Sequence, residues 1–375
     1  MKQGEMLGDF MISTKPTNAG GGKCVWAFAT RGGEEYFIKE FLDPKWPLDS
    51  SPGNPESKRL RRAECAIFEQ RHQNIMERLR SDAVGGGNIV VAEAFFRDRT
   101  TYYKVTKRID ASNLESLELL AAHQKGVVLR TLGFSLQQLH RIGIVHGDLK
   151  PDNVLVQRRP ASDLYTAKLI DFDDSYLAGR PPEPSTVAGD SYYCAPEWLA
   201  YVKDEGRSDG AELTAAVDMF ALGLMLHKYL TGQLPAFPPG YSSPGEAVKD
   251  GQPLNLSHQL HPEIARLIMT LTDVRSRRRP NIELFLQAID DDATLNLSAA
   301  PAASPEPAVP ARPAGRLKIN MGPGGSAASS AAADPGARRM PPRDTSGDEL
   351  PVRPSRLRIH IDTKAPGRRS SPPGE

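Results

Sequence analysis

The stretch "HGDLKPDNVLV", His146 to Val156, and its sequel "AKLIDFDDS", Ala167 to Ser175, decide how this chain is read. The first carries His146, Asp148, Lys150 and Asn153, and the second sets Asp171 after an apolar, strand-like run. Moving a phosphoryl group to a hydroxyl needs a carboxylate that orients the hydroxyl and accepts its proton, and oxygen ligands that hold magnesium against the phosphates. Asp148, Asn153 and Asp171 supply those groups. Taken singly each has an ordinary structural explanation, Asp171 as a turn residue for example, but the joint spacing is far more specific than any one of them.

Upstream of this segment, strand-like runs alternate with turns: "MIST", "CVWAFA", a Gly32-Gly33 turn and "EYFIKEF". Ser57 to Arg80 contains no proline or glycine, and Leu60, Ile67, Phe68, Ile75 and Leu79 recur at helical intervals, which predicts one helix. The strands "NIVVAEAFF" and "TYYKVTK" follow, joined by the polar turn "RDRT"; from Lys125 the chain turns mainly helical, beginning with a helix over 127–141. Strands first and helices later predict an α+β architecture, a small sheet lobe and a larger helical lobe.

The formal charge of +1 gives no polyelectrolyte signal for nucleic acid or an anionic membrane. Cys24, Cys65 and Cys194 are too far apart in sequence for a CxxC zinc pair and too few for an even disulfide framework, so reduced thiols and a cytoplasmic location are expected. The N-terminal stretch lacks an apolar signal core, and no window approaches the length of an apolar membrane span. From Thr294 to Glu375 there is no Phe, Trp or Tyr, and 14 of the 32 prolines fall there. Such a segment cannot bury enough apolar surface to offset its ordering entropy, and 293–375 is expected to be a disordered tail.

Over roughly residues 8–290 the chain resembles the protein-kinase-like superfamily, on HxDxKxxN, the IDF strand and the later motifs below. The resemblance implies a bilobal fold over 8–292, with an N-lobe at about 8–107 and a C-lobe at about 112–292, using ATP and Mg2+. It makes Asp148 the catalytic base, Lys150 the cation facing the transferred phosphoryl group, and Asn153 and Asp171 the metal ligands. Lys39, in "YFIK", takes the place of the strand lysine that contacts the nucleotide phosphates. Its helix partner would be Glu64 or Glu69, the latter preferred on spacing. Gly20, Gly21 and Gly22 stand in the phosphate-covering loop, where the family's first and third glycines are replaced by Asn18 and Lys23.

Gly147, Asp173 and Asp174 are shared with aminoglycoside and choline kinases, whose acceptors are small molecules. Lys150, the Ala195-Pro196-Glu197 triplet, Asp218 with Gly223, and Arg279 as the expected ion partner of Glu197 favour a serine/threonine protein kinase. A non-catalytic scaffold is the third reading. Three departures from the family pattern set further expectations. Gly147 replaces the arginine that gathers a loop phosphate, so activity should not depend on phosphorylation of Ser185 or Thr186. Asp173 replaces a glycine and adds a carboxylate near the metals. Asp190 stands where a threonine usually bridges the catalytic aspartate and Lys150, leaving Ser191 to take over or Asp190 to bind the lysine directly.

"GGGKCVWAF", "YFIKEFL" and "LIDFDDSY" further resemble bacterial kinases of tellurite-resistance-type gene sets, which implies a von Willebrand-type protein and a metal-dependent protein phosphatase as partners. In the tail, "RLKINM" (316–321) recurs as "RLRIHI" (356–361), each alternating apolar and polar residues as a half-buried strand does. Written twice in a segment too polar to fold alone, the pattern is expected to dock a partner.

Overall fold

The computed structural model describes residues 1–298 apart from 20–21, 23, 82–86, 113–115, 188 and 204–208. Gly20 and Gly21 and the tail motifs 316–321 and 356–361 therefore lie outside the described residues.

Six strands form one antiparallel sheet in the order β1-β2-β3-β4-β6-β5. They are β1 (Met6–Leu7), β2 (Phe10–Ile12), β3 (Cys24–Arg31), β4 (Glu34–Phe41), β5 (Ala92–Asp98) and β6 (Thr101–Lys107). Gly32 and Gly33, at φ +59° and +84°, close the β3–β4 hairpin, the two left-handed residues that a tight turn matching strand twist requires. Alternation along β3 and β4 sends Ala27, Ala29, Tyr36 and Ile38 into an apolar cluster on one face. The other face carries Trp26, Phe28, Phe37 and Lys39, with Trp26 directly opposite Lys39 and Phe28 opposite Phe37. Lys39 is also opposite Lys104 on β6.

The single helix α1 runs Pro55–Ser81. Asn54 starts it, its side-chain oxygen accepting from Ser57 N at 2.7 Å, and proline occupies the first helical position. The apolar spacing read from the sequence named only part of the buried face. Cys65, His72, Ile75, Met76 and Leu79 are buried, whereas Leu60 and Ile67 are 55% and 71% exposed. The stripe that packs on the sheet includes a histidine and a cysteine, which hydrophobic periodicity passes over.

The remainder is mainly helical: α2 (Ala122–Arg141), α3 (Pro196–Lys203), α4 (Ala216–Thr231), α5 (Pro244–Lys249), α6 (Pro262–Leu271) and α7 (Ile282–Ala288). Short pairs, β7 (Ile144–Val145) with β10 (Tyr176–Leu177) and β8 (Val154–Arg159) with β9 (Leu164–Leu169), lie among them. α4 is buried nearly all round, as its run of Val217, Met219 to Leu222 and Leu224 to Leu226 requires. A Cβ on Gly223 would lie 2.8 Å from Leu271, so glycine lets α4 and α6 approach closely. Among the described residues no helix is long and apolar enough to cross a membrane.

Candidate active site

The segment after β7 is held from beneath by α4. Asp218, buried in the first turn of that helix, accepts from the backbone amides of His146 (2.8 Å) and Gly147 (3.1 Å) and from His140 Nε2 (3.0 Å). Ser175 Oγ donates to His146 O at 3.0 Å, and the His146 ring lies 3.0 Å from Ile170 O. Two chain segments distant in sequence are thereby clamped together, so that Asp148 and Asp171 face one space.

Gly147 sits at φ +79°, and a Cβ there would lie 2.7 Å from the main-chain oxygen of Asp174. Glycine is thus demanded by backbone conformation and by the close approach of the 171–174 segment. Gly147→Ala is expected to cost about 1–3 kcal/mol and to lower the melting temperature measured by calorimetry. An unchanged melting temperature would mean that the loop can relax without strain.

Asp148 is held by three donors. Lys150 Nζ reaches Oδ2 at 2.7 Å, Asn153 Nδ2 reaches the same oxygen at 3.1 Å, and the backbone N of Asp190 donates to Oδ1 at 2.8 Å. Pro151 opens a single 3-10 turn, Pro151–Asn153, that brings Asn153 back onto the loop. Its amide nitrogen also donates to Asp148 O at 2.7 Å, which leaves its carbonyl oxygen for a ligand. Burial works against the charge of Lys150, but Asp148 and Asp190 outweigh it and raise its pKa. Position 190 therefore fills the bridging place in a different way from a threonine hydroxyl: the main-chain amide takes Asp148, and the side chain stands 3.8 Å from Lys150 Nζ. Ser191 is exposed and takes no part in the bridge.

Asp171, at φ +65°, occupies the left-handed region that aspartate tolerates better than most residues, and Phe172 packs behind it 5.2 Å from the His146 ring. Lys39 Nζ donates to Asp171 Oδ1 at 2.6 Å and to Asp173 Oδ2 at 2.9 Å. Lys104 Nζ donates to the other oxygen of Asp173 at 2.7 Å. Burial alone would raise the Asp173 carboxyl, but Lys104 and Lys39 overcome it and hold it well below the usual carboxylate range. Asp174 differs. Burial and the neighbouring Asp148, Asp171 and Asp173 carboxylates push it up to about 7.

Asp148, Lys150, Asn153, Asp171 and Lys39 thus converge, and Gly22, at φ +56°, lies in the turn leading into β3. The expected pair between Lys39 and a helix glutamate is not formed. Glu64 is exposed, while Glu69 accepts from Tyr102 Oη at 2.6 Å and faces Arg97 at 3.5 Å. Lys104 and Arg71 were not singled out by the sequence, although a lysine inside the otherwise apolar and aromatic run "TYYKV" was the available signal.

Among the described residues no group of three or more Asp, Glu, His or Cys forms a ready-made metal cage. Magnesium suits such a place, because it binds through one or two protein oxygens and takes the rest from phosphates and water. Asn153, whose amide nitrogen is spent on Asp148, and the Asp171 carboxylate offer the oxygens that could hold such a cation.

A carboxylate with a cation beside it and a lysine on the sheet is an arrangement suited to transferring a charged group to a hydroxyl. Comparison with known proteins supplies the family: residues 58–289, more than half of the chain, match the protein kinase domain, and the chain belongs to that family. Serine/threonine-protein kinase A of Synechocystis is 31% identical over 154 residues, covering 39% of this chain and 28% of that protein. Serine/threonine-protein kinase RAD53 of Saccharomyces cerevisiae is 29% identical over 157 residues, covering 39% and 18%. Protein kinase kin1 of Schizosaccharomyces pombe is 25% identical over 281 residues, covering 71% and 29%. The chain spans less than a third of the length of each of these three relatives.

Proposed function

We propose that the chain is an ATP- and magnesium-dependent kinase of serine and threonine hydroxyls on protein substrates, its catalytic domain extending over 8–292. The observation that carries the reading is the fixing of Asp148 by Lys150, Asn153 and the Asp190 amide, which points a carboxylate into the space that Lys39 and Asp171 share. In that arrangement Asp148 orients the acceptor hydroxyl and takes its proton as the oxygen attacks the terminal phosphorus. Lys150 meets the charge on the transferred group, and Lys39 meets the phosphates of the leaving nucleotide. Magnesium, when bound, neutralises phosphate charge; Asn153 and Asp171 are the residues that would hold it.

A protein acceptor is favoured over a small molecule by the platform beneath the site. Glu197, in the Ala195-Pro196-Glu197 triplet, forms a two-armed pair with Arg279, at 2.6 and 2.8 Å. The resemblance to kinases accompanying a von Willebrand-type protein and a metal-dependent phosphatase supports signalling partners of that kind, and the buried free cysteines agree with a cytoplasmic setting. The test is incubation of the purified chain with labelled ATP and magnesium, with a generic protein substrate in one reaction and an aminoglycoside or choline in another. Label on serine or threonine is expected. Label on an aminoglycoside or choline alone, or none, would replace this reading with the small-molecule kinase or the non-catalytic scaffold.

The loop that precedes Asp190 is proposed not to require phosphorylation. Asp148 already has its donors, position 147 offers no arginine, and Thr186 Oγ1 bonds locally to Glu183 O at 2.9 Å. Ser185→Ala with Thr186→Ala should keep basal turnover within about twofold of the parent. Loss of activity in that variant, or after phosphatase treatment, would show that another basic cluster reads the loop.

A further inference from the structure

We infer that Asp173, bridging Lys39 and Lys104, is the residue that positions the phosphate-facing lysine, a task that α1 cannot perform in this chain. The inference rests on the reading of Lys39 given above.

A census of charge on α1 is the starting point. Its carboxylates are Glu56, Glu64, Glu69 and Glu77; three are exposed and Glu69 is engaged by Tyr102. The face turned to the sheet offers Cys65, Phe68 and His72. The His72 ring stacks on Phe95 at 4.8 Å, and its Nε2 has no hydrogen-bond partner among the described residues. Where the helix reaches the 171–174 segment it brings a cation, Arg71, whose Nη2 donates to Asp173 O at 3.2 Å. The helix therefore presents no anion to Lys39.

The sheet creates the opposite need. Lys39 and Lys104 are direct cross-strand partners, and like charges so placed repel. The Lys104 side chain is only 8% exposed, and a buried ammonium without an anion is costly. Asp173 gives one oxygen to each lysine, which holds Lys39 Nζ against Asp171 as well. The carboxylate after Asp171-Phe172 and the lysine inside β6 are thus halves of one device. Because Asp171 and Asp173 lie two residues apart, displacing that segment would withdraw both anions from Lys39 together.

The test uses the full chain carrying Asp173→Asn, alone and with Lys104→Met, and Glu69→Gln for comparison. Asp173→Asn should raise KM for ATP about tenfold or more with a smaller change in kcat, and should lower the melting temperature. The double variant should regain the melting temperature but keep the raised KM, since it removes the stranded charge without restoring the grip on Lys39. It also serves if the single variant fails to fold. A readout independent of turnover is acylation of Lys39 by an N-hydroxysuccinimide ester without nucleotide, followed by mass spectrometry. Labelling should rise several-fold in Asp173→Asn and stay at the parent level in Glu69→Gln. If the parent transfers no phosphate yet labelling changes as expected, the functional reading fails and the pairing stands. An unchanged KM and unchanged labelling in Asp173→Asn would overturn the inference. So would recovery of KM in the double variant, or an equal effect of Glu69→Gln.

Discussion

Replacing Asp148 by asparagine is expected to lower kcat by about a hundredfold or more while leaving the domain folded. The substituted amide keeps the shape of the side chain and an oxygen for the Asp190 amide, which donates to the carboxylate at 2.8 Å in the parent. What it loses is the capacity to take a proton, together with the charge that Lys150 faces at 2.7 Å. Steady-state rates with saturating ATP, set beside thermal unfolding of the same preparation, separate lost chemistry from lost structure. A folded Asp148→Asn enzyme turning over at the parental rate would remove Asp148 from the role of base.

The second large effect is on stability. Arg279 is fully buried in its side chain and Glu197 is 7% exposed, and besides their paired bonds the guanidinium donates to the main-chain oxygens of Ala216 (2.8 Å) and Asp273 (2.9 Å). Truncating one member strands the other as an uncompensated buried charge, which costs about 3–5 kcal/mol. Arg279→Ala is therefore expected to lower the melting temperature by on the order of 10 °C in a domain of this size. The effect should shrink when Glu197→Gln is added, because the carboxylate left behind is then neutral. Equal melting temperatures for the parent and Arg279→Ala would show that water or a neighbouring group compensates Glu197.

Much of this was legible in the sequence, for identifiable reasons. The gathering of Asp148, Lys150, Asn153 and Asp171 could be read because the pattern that carries them has short, fixed spacings. The β3–β4 hairpin could be read because Gly32-Gly33 is a turn signal with alternating strands on either side. The partner of Lys39 could not be read. It depends on the register that sets Lys39 opposite Lys104 and on a turn more than a hundred residues later in the chain, 134 positions on for Asp173. The buried face of α1 was half read, since Cys65 and His72 pack as apolar residues while Leu60 and Ile67 stay outside. At position 147 the sequence spoke only of a missing arginine, and the close carbonyl of Asp174 gives the glycine a steric reason.

The bridge over Lys39 and Lys104 also bears on how the chain comes to be folded. The two lysines emerge from the ribosome on strands of the N-terminal sheet, yet the carboxylate that reconciles them lies 69 residues beyond the second. Until that segment is synthesised, β4 and β6 meet with matching charges across the ladder and no counter-ion from their own half. The sheet half should thus gain full stability only by long-range closure, which makes for high contact order and slow, late consolidation. The ion network that orders the site should also tie the consolidation of the first-made third of the protein to the arrival of the segment that carries Asp173.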